Sequence, residues 1–385
     1  MYSVDAYGRM IADAVRSEAY AEAMRRAIRP GSVVVDLGAG TGAFSLLACQ
    51  LGAARVYAIE TNPAVAIARE SAVANGFGDR VVTLDRLSTA VELPEQADVL
   101  ISDLRGTLPL HEQHIPSIVD ARRRFLRQDG VQIPASDDLW VAPVYDEGAH
   151  RELTDPWSAF DLDMRAGQRY AVNAAQERKV APDDVVAEPR CWATLDYRTI
   201  EVPNIAGSAE WHVEEPVAIN GMCLWFTAHL LDGISYTTSP FDPVTVYGMM
   251  LLPLAEVVEA KAQEQLRVQL RADMVAGSYV WTWITEHRTQ DGTHKMRQST
   301  FLSTPAPFTM VSDDAIESAR PQSTARARAA SLALGLIDGE RTLGSVAHEL
   351  MHAFPALFSS RLVAVRFVSD LAESYSAWEA PRPPS

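Results

Sequence analysis

The amino-acid sequence predicts a chain in three parts: an α/β unit built on a parallel sheet over residues 1–142, an antiparallel β-barrel over 143–310, and a linker with a small helical domain over 311–385. Three observations carry this. Apolar, strand-like runs alternate with helix-compatible stretches in the first third, the signature of a parallel sheet wound by helices. Short β-branched and aromatic runs separated by Gly, Pro, Asn and Asp fill the middle, as antiparallel barrels and sandwiches require. Helical periodicity returns from about Thr324.

In order along the chain, residues 1–29 mix charged and apolar residues at helical spacing. The first strand is Val33-Val34-Val35-Asp36, and runs at Val56-Tyr57-Ala58-Ile59, Val81-Val82-Thr83-Leu84 and Val99-Leu100-Ile101-Ser102 follow at α/β spacing, giving one Rossmann-like unit. Leu224-Trp225-Phe226-Thr227 and Tyr279-Val280-Trp281-Thr282-Trp283-Ile284 are typical of the barrel strands. The Pro-containing stretch 305–321 reads as the linker, and the tail 381–385 as disordered.

Composition narrows the function. No apolar run approaches the roughly 18–20 residues of a membrane span, and the mixed N-terminus is unlike a cleavable signal, so a cytoplasmic protein without a membrane partner is expected. Cys49, Cys191 and Cys223 are odd in number, lack paired spacing and read as buried thiols rather than a disulfide or zinc framework. A net charge of −16 repels a nucleic-acid backbone and steers a cationic partner inward.

Asp36 closes the first strand and is followed by Leu37-Gly38-Ala39-Gly40-Thr41-Gly42 and the helix-like Ala43-Phe44-Ser45-Leu46-Leu47-Ala48. Glycines there allow a tight strand-to-helix turn and close backbone approach to a ligand. Glu60 ends the next strand, where a carboxylate can accept both hydroxyls of a ribose. Dinucleotide sites space their glycines G-x-G-x-x-G to seat a pyrophosphate, whereas Gly38, Gly40 and Gly42 give G-x-G-x-G, which favours a ligand without one. A glycine-rich turn with no ligand is the bland alternative.

The stretch from Val33 through Gly42 resembles the first motif of class I S-adenosylmethionine-dependent methyltransferases, and its surroundings resemble the protein arginine methyltransferases over about residues 1–310. Met10-Ile11-Ala12-Asp13-Ala14-Val15-Arg16 and Tyr20 are similar to that family's N-terminal helix. Ser102-Asp103-Leu104-Arg105-Gly106 through His111-Glu112 resembles its double-glutamate loop, with Asp in place of one Glu. Thr245-Val246-Tyr247 stands where the family carries Thr-His-Trp, here without the histidine, and residues 157–164 resemble the segment before its dimerisation arm. The resemblance implies S-adenosylmethionine as cofactor, held by Met10, Arg16, Asp36, Gly38, Gly40, Thr41, Gly42, Glu60 and Ser88. It also implies a homodimer, and catalysis by Asp103 and Glu112 with His111, Tyr247 and Asp13 beside them.

Methyl transfer from a sulfonium is an in-line displacement, so the acceptor nitrogen must present a lone pair within about 3–3.5 Å of the methyl carbon. Two carboxylates can hold a guanidinium in a bidentate fork and draw charge away from the attacking nitrogen. Asp at the first position shortens the reach by roughly 1.5 Å. A misplacement of about 1 Å costs on the order of a hundredfold in rate. With the histidine absent and Asp13 left without that partner, the sequence points to an amine or guanidine of a peptide or small molecule; arginine in cationic protein tails is the alternative. An amine needs a proton acceptor, a role open to Glu112 or His111. Otherwise His111 and His114 simply face solvent.

His348-Glu349-Leu350-Met351-His352 spells H-E-x-x-H, the zinc helix of metalloproteases. On a helix, Leu343, Val346, Ala347 and Leu350 form the apolar stripe, which turns both histidines to the opposite face and disfavours a protease; no metal is expected. Residues 324–375, with Ile337-Asp338-Gly339-Glu340-Arg341-Thr342-Leu343 and Phe354-Pro355, resemble the helical half of PqqD-like domains, which bind leader peptides. On that likeness the acceptor is a ribosomally made peptide. A cofactor-binding scaffold that recruits a peptide for a partner enzyme is the non-catalytic alternative.

Overall fold

The computed structural model describes residues 3–304, 320 and 322–375, and divides into two compact units, 1–305 and 306–385. The expected linker 305–321 lies almost wholly outside the described residues, and the tail 381–385 entirely so.

The first unit opens with helix α1 (Val4–Ala12), capped by the Ser3 hydroxyl, which accepts from the Ala6 N–H at 3.2 Å. Asp13 ends α1 and starts α2 (Ala14–Ala27), its Oδ1 accepting from the Arg16 N–H at 3.2 Å. A parallel sheet follows: β1 (Val33–Leu37), α3 (Ala43–Gln50), β2 (Arg55–Ile59), α4 (Val65–Ala74), β3 (Val81–Leu84), β4 (Ala97–Ser102), α5 (His114–Arg124) and β5 (Leu126–Ile133). The strand order is β3-β2-β1-β4-β5, every pair parallel. Val34, Val35, Val56, Ala58, Leu100 and Ile101 are wholly or almost wholly buried, because strands covered on both faces are apolar on both. The sequence pattern missed β5, whose first half, Leu126-Arg127-Gln128-Asp129-Gly130, is largely exposed at the sheet edge.

The antiparallel strands begin with β6 (Ser136–Val144), so the expected boundary at residue 143 falls inside a strand. Beyond β6 come α6 (Glu147–Thr154), α7 (Arg165–Ala171), β7 (Gln176–Arg178), β8 (Arg190–Asp196), β9 (Ile205–His212), β10 (Val217–Leu231) and β11 (Ile234–Thr237). β12 (Met249–Ala260), β13 (Gln265–Val275), β14 (Ser278–Thr289) and β15 (Gly292–Ser299) complete the unit. They form two antiparallel sheets, β7-β12-β10-β6-β8 with β11 beside β10, and β15-β14-β13-β9. Trp283, fully buried on β14, ties them together by donating from Nε1 to the Pro253 carbonyl on β12 at 3.0 Å. One apolar core runs from Tyr20 and Val34 through Phe226 to Trp283, so residues 1–305 pack as a single unit.

The second unit has α8 (Ala325–Leu336), α9 (Leu343–Ala353) and α10 (Arg361–Tyr375) around a small core of Ala329, Val346, Leu350, Phe358 and Phe367. Val346, Ala347 and Leu350 are buried on α9 while His348 and His352 are exposed. Among the described residues no group of three or more His, Cys, Asp or Glu is placed to hold a metal. All three cysteines are free; Cys49 and Cys223 are buried as expected, but Cys191 is exposed, because β8 lies at a sheet edge. No described helix is long and apolar enough to cross a membrane.

Leu100 is fully buried in β4 beside the central strand. Leu100→Ala is expected to cost about 2–5 kcal/mol, read as a lower urea midpoint with an unchanged slope; a midpoint equal to that of the parent contradicts this packing.

Candidate active site

The carboxyl ends of β1, β2 and β4 open into a cavity of about 1200 Å³. In open parallel sheets, ligands bind at this edge, where the strand order reverses on either side of the first strand. Helices α1 and α2, the loop after β4 and the segment leading into β12 form the remaining walls.

The glycine turn is shaped by its backbone. Gly40 has φ +54°, and its N–H donates to Glu60 Oε2 at 2.8 Å. The Asn62 N–H donates to Glu60 Oε1 at 2.7 Å, so the carboxylate is fixed with a lone pair left on each oxygen. Gly42 has φ +81° and caps α3; a Cβ there would lie 2.6 Å from the Ala68 Cβ. Only glycine serves at that position. Asp36 is buried and accepts from the Ser45 hydroxyl at 2.6 Å. Burial pushes its carboxyl up to about 6, against the Ser45 hydrogen bond and with help from Glu60 and Asp103.

Asp103, on the loop after β4, accepts three side-chain hydrogen bonds in the cavity. Its Oδ2 accepts from Arg16 Nε at 2.5 Å and from the Tyr247 hydroxyl at 2.7 Å, and its Oδ1 from Arg105 Nη1 at 3.1 Å. Burial works to raise this carboxyl, but the Arg16 and Arg105 cations and the Tyr247 hydrogen bond outweigh it and hold it below the usual value. Burial, then the Asp103 charge, pushes the Tyr247 phenol well above its ordinary value, so it stays protonated and donates. Arg16 also donates from Nη1 to the Met10 carbonyl at 2.9 Å.

Most of the predicted site residues meet here. Met10, Arg16, Asp36, Gly38, Gly40, Thr41, Glu60, Asp103, His111, Glu112 and Tyr247 all line the cavity, and Gly42 supports it through the α3 cap. Ser88 does not: it is buried in a short turn, its carbonyl accepting from Arg124 Nη2 at 2.6 Å. Asp13 is not left unpartnered, since its Oδ2 accepts from the Val246 backbone N–H at 2.8 Å. Asp103 does not offer a free fork, because three of its roughly four acceptor positions are taken. Glu112, by contrast, is exposed at the rim with φ +38°, its Oε1 3.8 Å from His111 Nε2. His114 does not face solvent: it is buried with Nε2 3.0 Å from the Tyr197 hydroxyl, and burial, then Arg105, drives its imidazole well below the ordinary value.

Sequence reasoning missed Arg105 and Asp137. Arg105 donates from Nε and Nη2 to the two Asp137 oxygens at 3.0 and 2.6 Å, and both side chains are fully buried. Neither leaves a sequence signal: Arg105 sits in a loop, and Ser136-Asp137-Asp138 reads as a turn rather than the start of a strand.

The site fits S-adenosylmethionine. The glycine turn lines the cavity with backbone at Gly38 and Gly40, Glu60 is fixed to accept ribose hydroxyls, and Arg16 keeps Nη2 for an anionic group.

Comparison with known proteins agrees. A family model described as ribosomal protein L11 methyltransferase (PrmA) matches residues 19–119. Protein arginine N-methyltransferase 6 of Xenopus laevis is 30% identical over 274 residues, 67% of this chain and 80% of that protein. The protein of the same name from Danio rerio is 30% identical over 267 residues, 65% of this chain and 76% of that protein. Among solved structures, the Trypanosoma brucei PRMT1 enzyme–prozyme heterotetrameric complex with AdoHcy aligns with a TM-score of 0.70 at 19% identity, over 76% of this chain and 97% of that one. Arabidopsis thaliana protein arginine methyltransferase 10 aligns with a TM-score of 0.67 at 22% identity, over 77% and 98%. These two share the fold. The expected likeness of the C-terminal helices to PqqD-like domains finds no support in these comparisons.

The raised Asp36 carboxyl fixes the sign of a pH effect. Its folded value of about 6 lies above the ordinary 3.8, so the stability it carries is complete below about pH 4 and is lost as pH rises through 6. The gain in melting temperature of Asp36→Asn over the parent is therefore expected to be largest at pH 7–8 and to shrink towards pH 4; a pH-independent difference contradicts the assignment.

Proposed function

The chain belongs to the protein arginine methyltransferase family, and from that premise we propose that this S-adenosylmethionine-dependent N-methyltransferase modifies arginine guanidino nitrogens in cationic proteins or peptides. The observation that carries the proposal is Asp103, an ionised carboxylate on the cavity floor, with Glu112 at the rim of the same cavity. The relatives at 30% identity are named for arginine, which favours protein arginine over the free amine that the altered loops suggested.

S-adenosylmethionine, when bound, supplies an electrophilic methyl group on a sulfonium. The chain's own residues do the rest. Glu60 would accept the ribose hydroxyls, and Arg16, whose Nε is bonded to Asp103, would hold the cofactor carboxylate. Asp103 takes one guanidinium N–H on its remaining acceptor position and Glu112 takes another, which fixes the plane of the guanidinium and draws positive charge away from the attacking nitrogen. The proton released after transfer leaves through Glu112 or His111, both at the open side. We also propose that the chain works as a homodimer, as the likeness of residues 157–164 to the segment before the family's dimerisation arm suggests.

The test pairs an arginine-containing cationic peptide with its lysine counterpart, each incubated with the protein and S-adenosylmethionine and read by intact mass. The arginine peptide is expected to gain methyl groups and the lysine peptide none; equal methylation of both, or of neither, overturns the proposal. Asp103→Asn and Glu112→Gln are each expected to lower kcat by about a hundredfold or more. Gly42→Ala, which forces α3 away from α4, is expected to weaken cofactor binding by about tenfold or more in calorimetry; an unchanged Kd contradicts the role of the turn.

A further inference from the structure

Behind the cavity floor lies a second set of charges that methyl transfer does not itself require. Arg105 is fully buried, and each of its guanidinium nitrogens is bonded. Nε and Nη2 form a bidentate pair with Asp137 at 3.0 and 2.6 Å, and Nη1 donates to the Tyr20 hydroxyl at 2.7 Å and to Asp103 Oδ1 at 3.1 Å. The cation stands 5.5 Å from the centre of the Phe226 ring. Asp137 is held in turn by the Tyr197 hydroxyl, whose oxygen lies 3.0 Å from His114 Nε2. The Tyr20 hydroxyl donates to the Ser102 carbonyl at 2.9 Å, at the end of β4, the residue before Asp103.

We propose that Arg105, braced by Asp137, is a positioning residue for methyl transfer: it pins Oδ1 of Asp103 so that this carboxylate presents a single acceptor position, in a fixed direction, to the incoming guanidinium. The inference rests on the proposed arginine reading for its substrate, but the clamp itself is a property of the folded chain. Stability is a poor reason for such a pair. Burying two charges costs desolvation that an apolar pair of similar volume would not incur. What the pair achieves is direction. A planar guanidinium bonded at all three nitrogens cannot turn, and Asp103 cannot turn against it. The shorter Asp side chain thereby becomes a rigid acceptor, and Glu112, exposed on its left-handed backbone, is the adaptable partner.

The charges around Asp103 make the clamp measurable. Arg16 and Tyr20 face it from α2, Tyr247 from the segment before β12, Asp36 from β1 and Tyr236 from β11. Asp137 stands behind Arg105 on β6, and His111 and Glu112 lie further along its own loop. Arg16 and Arg105 are the cations that keep its carboxyl low. Removing Arg105 alone strands Asp137, so the test uses Arg105→Met together with Asp137→Asn, which removes both charges of the pair, and Arg105→Lys, which keeps the charge but not the fork.

The Asp103 carboxyl carbon is followed by 13C NMR through a pH titration, its resonance assigned by its loss in Asp103→Asn. In the double variant the titration is expected to move to higher pH, and in Arg105→Lys by less. A titration that stays where it is in the parent overturns the clamp, whether or not the protein methylates anything. On the arginine peptide, kcat of the double variant is expected to fall by about a hundredfold, with its acid limb moved to higher pH and KM for S-adenosylmethionine little changed. A loss confined to the cofactor KM also overturns it. Should the double variant not fold, Arg105→Lys alone decides: full parental kcat and an unmoved titration refute the positioning role. A parent that methylates no arginine peptide refutes the proposed activity, while the titration still judges the clamp.

Discussion

Asp103 is the point at which separate parts of the chain are tied together. Its carboxylate receives Arg16 from α2, Arg105 from its own loop and Tyr247 from the segment before β12, and through Arg105 it reaches Asp137 on β6. Two cations and two anions thus share a space where their side chains are at most 9% exposed. Each would be costly alone, and each is tolerable because the others are present. The parallel sheet and the antiparallel sheets consequently cannot shift independently near the cavity, which is why the expected domain boundary at residue 143 is not a boundary in the packing.

The same economy of position shapes the cofactor side. Because β1 is central and flanked by β2 and β4, the glycine turn, Glu60 and Asp103 emerge at one edge although they lie far apart in sequence. The turn depends on backbone geometry rather than side-chain chemistry: Gly42 must take a left-handed φ and must lack a Cβ for α3 to approach α4. Asp36 sits beneath it as an acid whose charge is disfavoured by burial, held by Ser45 from the first turns of α3. It supports the turn from below while Glu60 holds it from the side.

The sequence was readable where periodicity or fixed spacing carried the signal. Four of the five parallel strands stand out as apolar runs, and the expected cofactor residues Asp36, Gly38, Gly40, Gly42 and Glu60 fall at or just after the ends of two of them; β5 does not stand out, because its exposed half is polar. Ser88 does not reach the cavity, because a short turn buries it with its carbonyl bonded to Arg124. Arg105 and Asp137 were invisible for a different reason. Their significance lies in meeting across 32 residues, and neither has a local pattern that distinguishes a buried ion pair from two solvated charges. The same holds for Asp13, whose partner is a backbone N–H from 233 residues away and so is independent of side-chain identity.

That last contact bears on how the altered loop works. A backbone N–H from Val246 satisfies the Asp13 carboxylate and anchors the loop to the start of α2 as a side-chain donor would. Replacing histidine by valine therefore need not loosen the loop, but it removes an imidazole able to take a proton. Neither Asp103 nor Tyr247 substitutes for it: Asp103 is ionised but committed to Arg16, Arg105 and Tyr247, and the Tyr247 phenol is held protonated. In the proposed mechanism, proton acceptance shifts to the open side, where Glu112 and His111 meet water. On that proposal, orientation and proton removal are divided between a rigid, buried carboxylate and an adaptable, exposed one, and the Asp-for-Glu change at the first position fits it because that carboxylate needs to aim rather than reach.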